Sequence, residues 1–189
     1  MEAIAKFEKV SRFQFLKDCW KAAGYEGEFQ YLKDGDNVKY GQAYCEEVGS
    51  FATNCTYIWE HIKLPTRATS GSAGYDFYIP DGTHLGATWY QLIPTGIRCK
   101  IKPGYVLMLY PRSSLGFKYA FGLANTTGII DSDYYNAANE GHIMIKASAI
   151  DLNLEAGDRF IQGIFLPYYL AEEDEVTTER SGGFGSTGA

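Results

Sequence analysis

The segment Asn125-Thr-Thr-Gly-Ile-Ile-Asp-Ser-Asp-Tyr134 gathers groups that can do chemistry. It reads as a hairpin or tight loop in which Gly128 relaxes the backbone, so main-chain N–H and C=O groups can face a flat base. Asp131 and Asp133 stand two residues apart and in extended chain point the same way. A carboxylate placed there can orient a water and take its proton. Tyr110-Pro-Arg-Ser-Ser-Leu115 offers the complementary half. Arg112 is a planar fork for phosphate oxygens, and Ser113 and Ser114 supply hydroxyl and backbone donors where a short helix would open. Ser72-Ala-Gly-Tyr-Asp76 places an acid at a strand start, a common turn-forming arrangement. Asp158-Arg-Phe-Ile-Gln162 reads as a strand with Arg and Gln on its exposed face. Last comes Arg180-Ser-Gly-Gly-Phe-Gly-Ser-Thr-Gly-Ala189, one cation, one ring and two hydroxyls among glycines. It has no lysine, so it is not a Walker A loop.

Positioning these stretches falls mostly to strands. Fifteen tyrosines and 21 glycines in 189 residues suit an all-β fold with many turns. Gly96-Ile-Arg-Cys-Lys-Ile-Lys102 alternates, with Ile97, Cys99 and Ile101 on the inward side. Tyr105-Val-Leu-Met-Leu-Tyr110 is a continuous apolar run, expected to be a strand buried on both faces. Two more strands are expected in residues 142–150 and 158–166, and the short spacing of turn signals points to a barrel or jelly roll. Before them, Ser11-Arg-Phe-Gln14 fits a capping box, with Ser11 as N-cap, Gln14 reaching back, and Val10 and Phe15 as a hydrophobic staple. The helix it opens should run over 12–23 and stop at Gly24. Residues 24–63 show no clear period and read as an irregular insertion with one short strand or helix.

Three units are expected: residues 1–63 as an N-terminal strand, helix and insertion packed on the domain, 64–170 as the β core, and 171–189 as an acidic linker with a C-terminal lid. The four cysteines form no CxxC pair and the three histidines do not gather near them, so reduced thiols are expected rather than zinc ligands. The net charge of −6 excludes general nucleic-acid binding and leaves a small polyanion, helped by local arginines and a metal ion. No apolar run approaches membrane-spanning length, and the first ten residues lack a basic flank before an apolar stretch. A cytoplasmic location without membrane contact is the expectation.

In this order, Ala-Gly-Tyr-Asp76, Pro-Arg-Ser-Ser-Leu-Gly116, Gly-Ile-Ile-Asp-Ser-Asp-Tyr-Tyr135, Asp-Arg-Phe-Ile-Gln162 and the glycine-rich tail closely resemble the five motifs of the trimeric deoxyuridine triphosphatases (dUTPases). The resemblance spans the last two thirds of the chain. It implies a β jelly roll, a homotrimer with sites shared between subunits, magnesium, and hydrolysis of dUTP to dUMP and pyrophosphate. On it, Asp131 is the general base. Asn125, Gly128 and Ile130 belong to the hairpin that reads uracil through its main chain, and Tyr134 lies under the deoxyribose. Arg112, Ser113, Ser114 and Gln162 meet phosphate, and Asp76 touches the metal through water. Phe184 stacks on the base, while Arg180, Gly185, Ser186 and Thr187 grip the far phosphates.

The family's third motif continues Asp-Tyr-Arg-Gly. Here Tyr135-Asn136 follows Tyr134, with a lengthened turn to Gly141, which implies a reshaped neighbouring loop. The spacing from Arg180 to Gly-Gly-Phe-Gly185 is one residue shorter than in many relatives. The 63-residue addition either packs on the trimer's outside or offers a surface to a protein partner. Two other readings compete. A dCTP deaminase of the same fold would need a glutamate base where this segment has Asp131. A nucleotide-gated regulatory protein would use the addition as its binding surface.

Overall fold

The computed structural model describes residues 2–25, 32–34, 37–39, 46–178, 180 and 182. The chain enters through β1 (Ala5–Lys9), then α1 (Arg12–Ala22), a short hairpin of β2 (Leu32–Asp34) and β3 (Asn37–Lys39), and α2 (Glu46–His61). β4 (Thr66–Arg67), β5 (Tyr75–Tyr78), β6 (Thr83–Leu85), β7 (Gln91–Pro94), β8 (Ile97–Ile101) and β9 (Tyr105–Pro111) follow. α3 (Ser113–Tyr119), β10 (Gly122–Leu123), β11 (Gly128–Ile130), a 3-10 turn at Ser132–Asn136, β12 (Met144–Ser148), β13 (Leu152–Leu154) and β14 (Arg159–Pro167) complete the order.

All strand pairings are antiparallel, in a five-stranded sheet β11-β9-β14-β5-β4, a three-stranded sheet β10-β12-β7 and two-stranded ribbons. This is an all-β, jelly-roll-like core with α1 and α2 packed against each other and α1 against β7. Ile97, Cys99 and Ile101 of β8 are buried, as their alternation requires. In β9 only Leu107 and Leu109 are buried, and Val106, Met108 and Tyr110 are half-covered. The expectation of a strand buried on both faces is therefore corrected: one face of β9 is sealed and the other partly open.

The N-terminal elements share the core rather than merely touching it. β1 pairs with β8, Phe7 opposite Cys99. Val10, Phe15, Leu16, Ala52, Cys55, Ile58 and Ile62 belong to the same buried cluster as Phe77, Leu107 and Ile145. α1 begins as expected, with Ser11 Oγ accepting the Gln14 N–H at 3.1 Å. The return half of the capping box comes from elsewhere. Glu140 Oε2 takes the Ser11 N–H at 2.7 Å, and the Gln14 side chain turns to Asp18.

Within residues 46–61 the chain forms a longer element than the sequence suggested, since α2 is a 16-residue helix. Gly49, Thr53, Asn54 and Thr56 dilute its propensity. Phe51, Ala52, Cys55, Ile58, Trp59 and Ile62 nonetheless keep a 3.6-residue period and pack inward. Its last carbonyls, Trp59 O and Glu60 O, each accept from Lys9 Nζ at 2.9 Å, a cation at the negative end of the helix. Among the described residues no helix is long and apolar enough to cross a membrane.

Gly96 joins both halves. It sits at φ +71°, and a Cβ there would lie 2.1 Å from Ile62 Cδ1 and 3.3 Å from Phe15. Gly96→Ala is therefore expected to cost roughly 2 kcal/mol or more, from left-handed strain plus overpacking. Urea denaturation checks this. An unchanged midpoint would mean that the two N-terminal helices are not seated on the β core as described.

Candidate functional site

Two concavities receive about half of the residues singled out in the sequence, Asp131, Tyr134 and Arg180 lining neither, and they have no lining residue in common. The smaller, about 210 Å³, is mostly polar. β5 brings Asp76 to it, the end of β9 brings Arg112, the first turn of α3 brings Ser113, and β14 brings Arg159 and Gln162. Across the β14–β5 ladder Gln162 stands opposite Asp76. Asp76 is the hub: Oδ1 lies 3.2 Å from Arg112 Nε and Oδ2 lies 3.2 Å from Arg159 Nη1. One buried carboxylate thus holds two guanidinium groups side by side, with N–H donors to spare for a polyanion. Ser114 is exposed beside Ser113 and is not part of this lining.

Pro111 ends β9, and the backbone turns at Arg112 into α3, as the Pro-Arg-Ser-Ser spacing led one to expect. Gly74 lets the 72–74 turn press on Gln162, since a Cβ there would sit 3.1 Å from Gln162 Oε1. Arg67 Nη1 donates to Ser70 O and Ser72 O and so fixes the same loop from behind. Arg159 was read from sequence as an ordinary exposed strand residue. Its place beside Asp76 follows from a register shift between Arg159 and Ile161 in the β14–β5 ladder, which period-2 reasoning does not show.

The larger cavity, about 1090 Å³, holds Asn125, Gly128 and Ile130. Of the two expected forms, hairpin or tight loop, the segment takes the second, a turn between strands that do not pair with each other. β10 pairs with β12 in one sheet and β11 with β9 in another, and residues 125–127 cross between them with Thr126 at φ +63°. β11 is an edge strand, so the backbone groups on its outer edge enter no strand ladder. Those are the groups a flat ring with fixed donors and acceptors would need. The opposite wall is α1, through Phe13, Lys17 and Trp20, which no sequence signal tied to the site.

Where β11 ends, Asp131 caps the 3-10 turn that carries Asp133 and Tyr134. That turn is not extended, yet the two acids do converge. Arg180 Nη2 lies 2.8 Å from Asp131 Oδ2 and its Nε lies 3.0 Å from Asp133 Oδ1. The guanidinium also stands 5.7 Å from the Tyr134 ring centroid. Tyr134 is buried; its hydroxyl donates to His142 O at 2.8 Å and accepts from Asn139 Nδ2 at 2.8 Å. Burial raises its phenol above the ordinary value of 10, and the Asn139 bond works against that rise. Phe184, Gly185, Ser186 and Thr187 lie outside the described residues.

A polar cradle for a polyanion and an edge strand for a flat ring define a jelly-roll protein of the nucleotide-handling class. The comparisons make this specific. The dUTPase family model matches residues 60–188. The deoxyuridine 5'-triphosphate nucleotidohydrolase of Lactococcus lactis subsp. lactis is 41% identical over 134 residues, 68% of this chain and 89% of that protein. The crystal structure of the dUTPase from Streptococcus mutans aligns with a TM-score of 0.54 at 40% identity, covering 58% of this chain and 88% of that one. A mutant dUTPase of phage phi11 of S. aureus, described with a structural Mg(II) ion, shares the fold at 20% identity and a TM-score of 0.52, over 63% of this chain and 92% of its own. The chain belongs to the dUTPase family.

If Asp76 is what holds the arginine pair, Asp76→Ala leaves two guanidinium groups without their common acceptor. A loss of about 1–3 kcal/mol is expected, visible as a lower denaturation midpoint. An unchanged midpoint would show that solvent alone suffices to hold Arg112 and Arg159.

Proposed function

We propose that this chain hydrolyses dUTP to dUMP and pyrophosphate, with Asp131 as the base that activates the attacking water. The observation that carries this reading is the convergence of Asp131, Asp133 and Arg180 beside Tyr134, at the end of the strand whose free edge suits a pyrimidine. Asp131 is half-exposed, so a water can reach its carboxylate and lose a proton to it. Negative charge then grows on the phosphate oxygens, and positioned N–H donors are what such a transition state needs. Arg112, Ser113, Ser114 and Gln162 supply them, with Arg159 added by the structure.

Uracil and cytosine differ in which ring atoms donate and which accept. Backbone groups at Gly128 and Ile130 that pair with one leave a buried group unsatisfied with the other, at about 1–3 kcal/mol each. The Tyr134 ring, fixed by its hydroxyl, closes the floor under the sugar and leaves no room for a 2'-hydroxyl.

The two concavities of one chain share no residue, which supports a site assembled between subunits of a homotrimer, the phosphate cradle of one chain facing the nucleoside pocket of another. Arg180 and the segment after it would close over that site and grip the distal phosphates.

Magnesium suits this donor set as an ion carried by the triphosphate. Among the described residues no three His, Cys, Asp or Glu side chains converge, and both Asp76 oxygens already meet arginines. Mg2+ keeps much of its water shell, so Asp76 would meet it through water. Charge neutralisation along the triphosphate is the chemistry it supplies.

Purified protein with magnesium is expected to release pyrophosphate from dUTP and far less from UTP or dCTP. Equal turnover of all three would remove the specificity reading. Asp131→Asn is expected to bind nucleotide yet lose about 10²–10⁴-fold in kcat, and an unchanged rate would exclude Asp131 as the base.

A further inference from the structure

We propose that Asp18 of α1 is a positioning residue for the catalytic segment and acts through His142. The inference rests on the reading of Asp131 and Tyr134 as working residues of a dUTPase site. Neither Asp18 nor His142 lies in any of the five motifs, and Asp18 belongs to the N-terminal addition.

His142 is fully buried. Its Nε2 accepts the Gly96 N–H at 2.8 Å, so that nitrogen carries no proton. The ring proton is then on Nδ1, which donates to Asp18 Oδ2 at 2.6 Å. Gln14 Nε2 donates to the same oxygen at 2.7 Å, which holds the carboxylate in place along α1. On its main-chain side His142 O receives the Tyr134 hydroxyl at 2.8 Å. With that proton spent, the Tyr134 oxygen can only accept, and it does so from Asn139 Nδ2. Gly141 closes the loop tightly, at φ +68° with Tyr134 O only 2.6 Å from where a Cβ would stand.

The relay therefore runs from Asp18 to His142, from His142 O to the Tyr134 hydroxyl, and from Tyr134 along a single 3-10 turn to Asp133 and Asp131. The two hydrogen bonds of the relay are short and join partly or wholly buried groups, so each has few ways to relax when the next one moves. Asp18, His142 and the Tyr134 hydroxyl are all paired, and Asn139 Oδ1 is the one buried oxygen of the network without a protein partner among the described residues. Directional bonds of this kind fix orientation in a way that apolar filling of the same volume would not. The orientation it fixes is that of the ring under the sugar and of the acids beside it. Small errors there cost catalysis out of proportion to their size.

Four variants test this: Asp18→Ala, Asp18→Asn, His142→Gln and the Asp18→Ala/His142→Gln double. His142→Gln keeps an acceptor for the Gly96 N–H and cuts the link to Asp18, while Asp18→Asn still accepts from Nδ1–H. The measurements are KM and kcat for dUTP and UTP, dUMP affinity by calorimetry, and the melting temperature. Asp18→Ala and His142→Gln are each expected to lower the dUTP-over-UTP preference and the dUMP affinity about tenfold. The double variant should be no worse than either single, because both cut one relay. Asp18→Asn should restore the wild-type preference. Wild-type preference and dUMP affinity in Asp18→Ala would overturn the proposal. So would losses that simply add in the double variant, or that Asp18→Asn fails to restore. Failure of the wild-type protein to turn over dUTP would count against the functional reading instead, and dUMP affinity across the variants would still decide the coupling.

Discussion

Strand β9 is hydrogen-bonded along both edges, to β14 over seven register pairs and to β11 over three. Both halves of the site depend on that double ladder. β11 is an edge strand of its sheet and leads into Asp131, while the last residues of β9 lead into Arg112 and lie against the Gln162 end of β14. Leu107 and Leu109 lock the arrangement, because glycines face them on either side. A Cβ on Gly163 would stand 2.8 Å from Leu107 Cδ1, and one on Gly128 would stand 3.1 Å from Leu109 Cβ. The spacing between the Arg112 end and the Asp131 end is thus set by close packing of two glycines on the Leu107 and Leu109 side chains.

Electrostatics is arranged locally against an acidic background. A chain of net charge −6 repels a triphosphate at long range, so its cations must be concentrated where the triphosphate lies. Asp76 does this by holding Arg112 and Arg159 through opposite oxygens. Arg180 shows the same logic in a second setting. Its guanidinium bridges Asp131 and Asp133, and a triphosphate, with more charge and more acceptors, competes for the same fork.

The sequence made the site legible wherever chemistry coincided with a turn or a strand end. Pro111-Arg-Ser-Ser114 could be placed because proline stops a strand and Ser-Ser opens a helix. Asp131 and Asp133 could be paired by spacing, although they meet on a 3-10 turn and not on a strand. Spacing left hairpin and tight loop open because a two-armed segment looks the same whether its arms pair with each other or with strands from distant parts of the chain. Arg159 was passed over because its role depends on a register shift, and α2 because its apolar period is diluted by threonines and a glycine. Nothing at the level of spacing placed α1 along the nucleoside pocket, since that contact is purely tertiary.

The departures from the family pattern are best understood as one change. Where relatives continue with Arg-Gly after the tyrosine of the third motif, this chain has Tyr135 and a turn lengthened to Gly141. Tyr135 donates to Glu8 of β1, and the Arg98 guanidinium covers its ring at 3.6 Å. Glu140, on the lengthened turn, completes the cap of α1 through Ser11. Asn139 and His142 tie the same turn to Tyr134. Tyr135 and Glu140 thus face the N-terminal addition, and Asn139 faces the Tyr134 segment. An addition that only decorated the surface would need no matching change beside Tyr134. The reshaped turn is the joint through which α1 and β1 reach the site, and the added chain and the altered motif make structural sense only together.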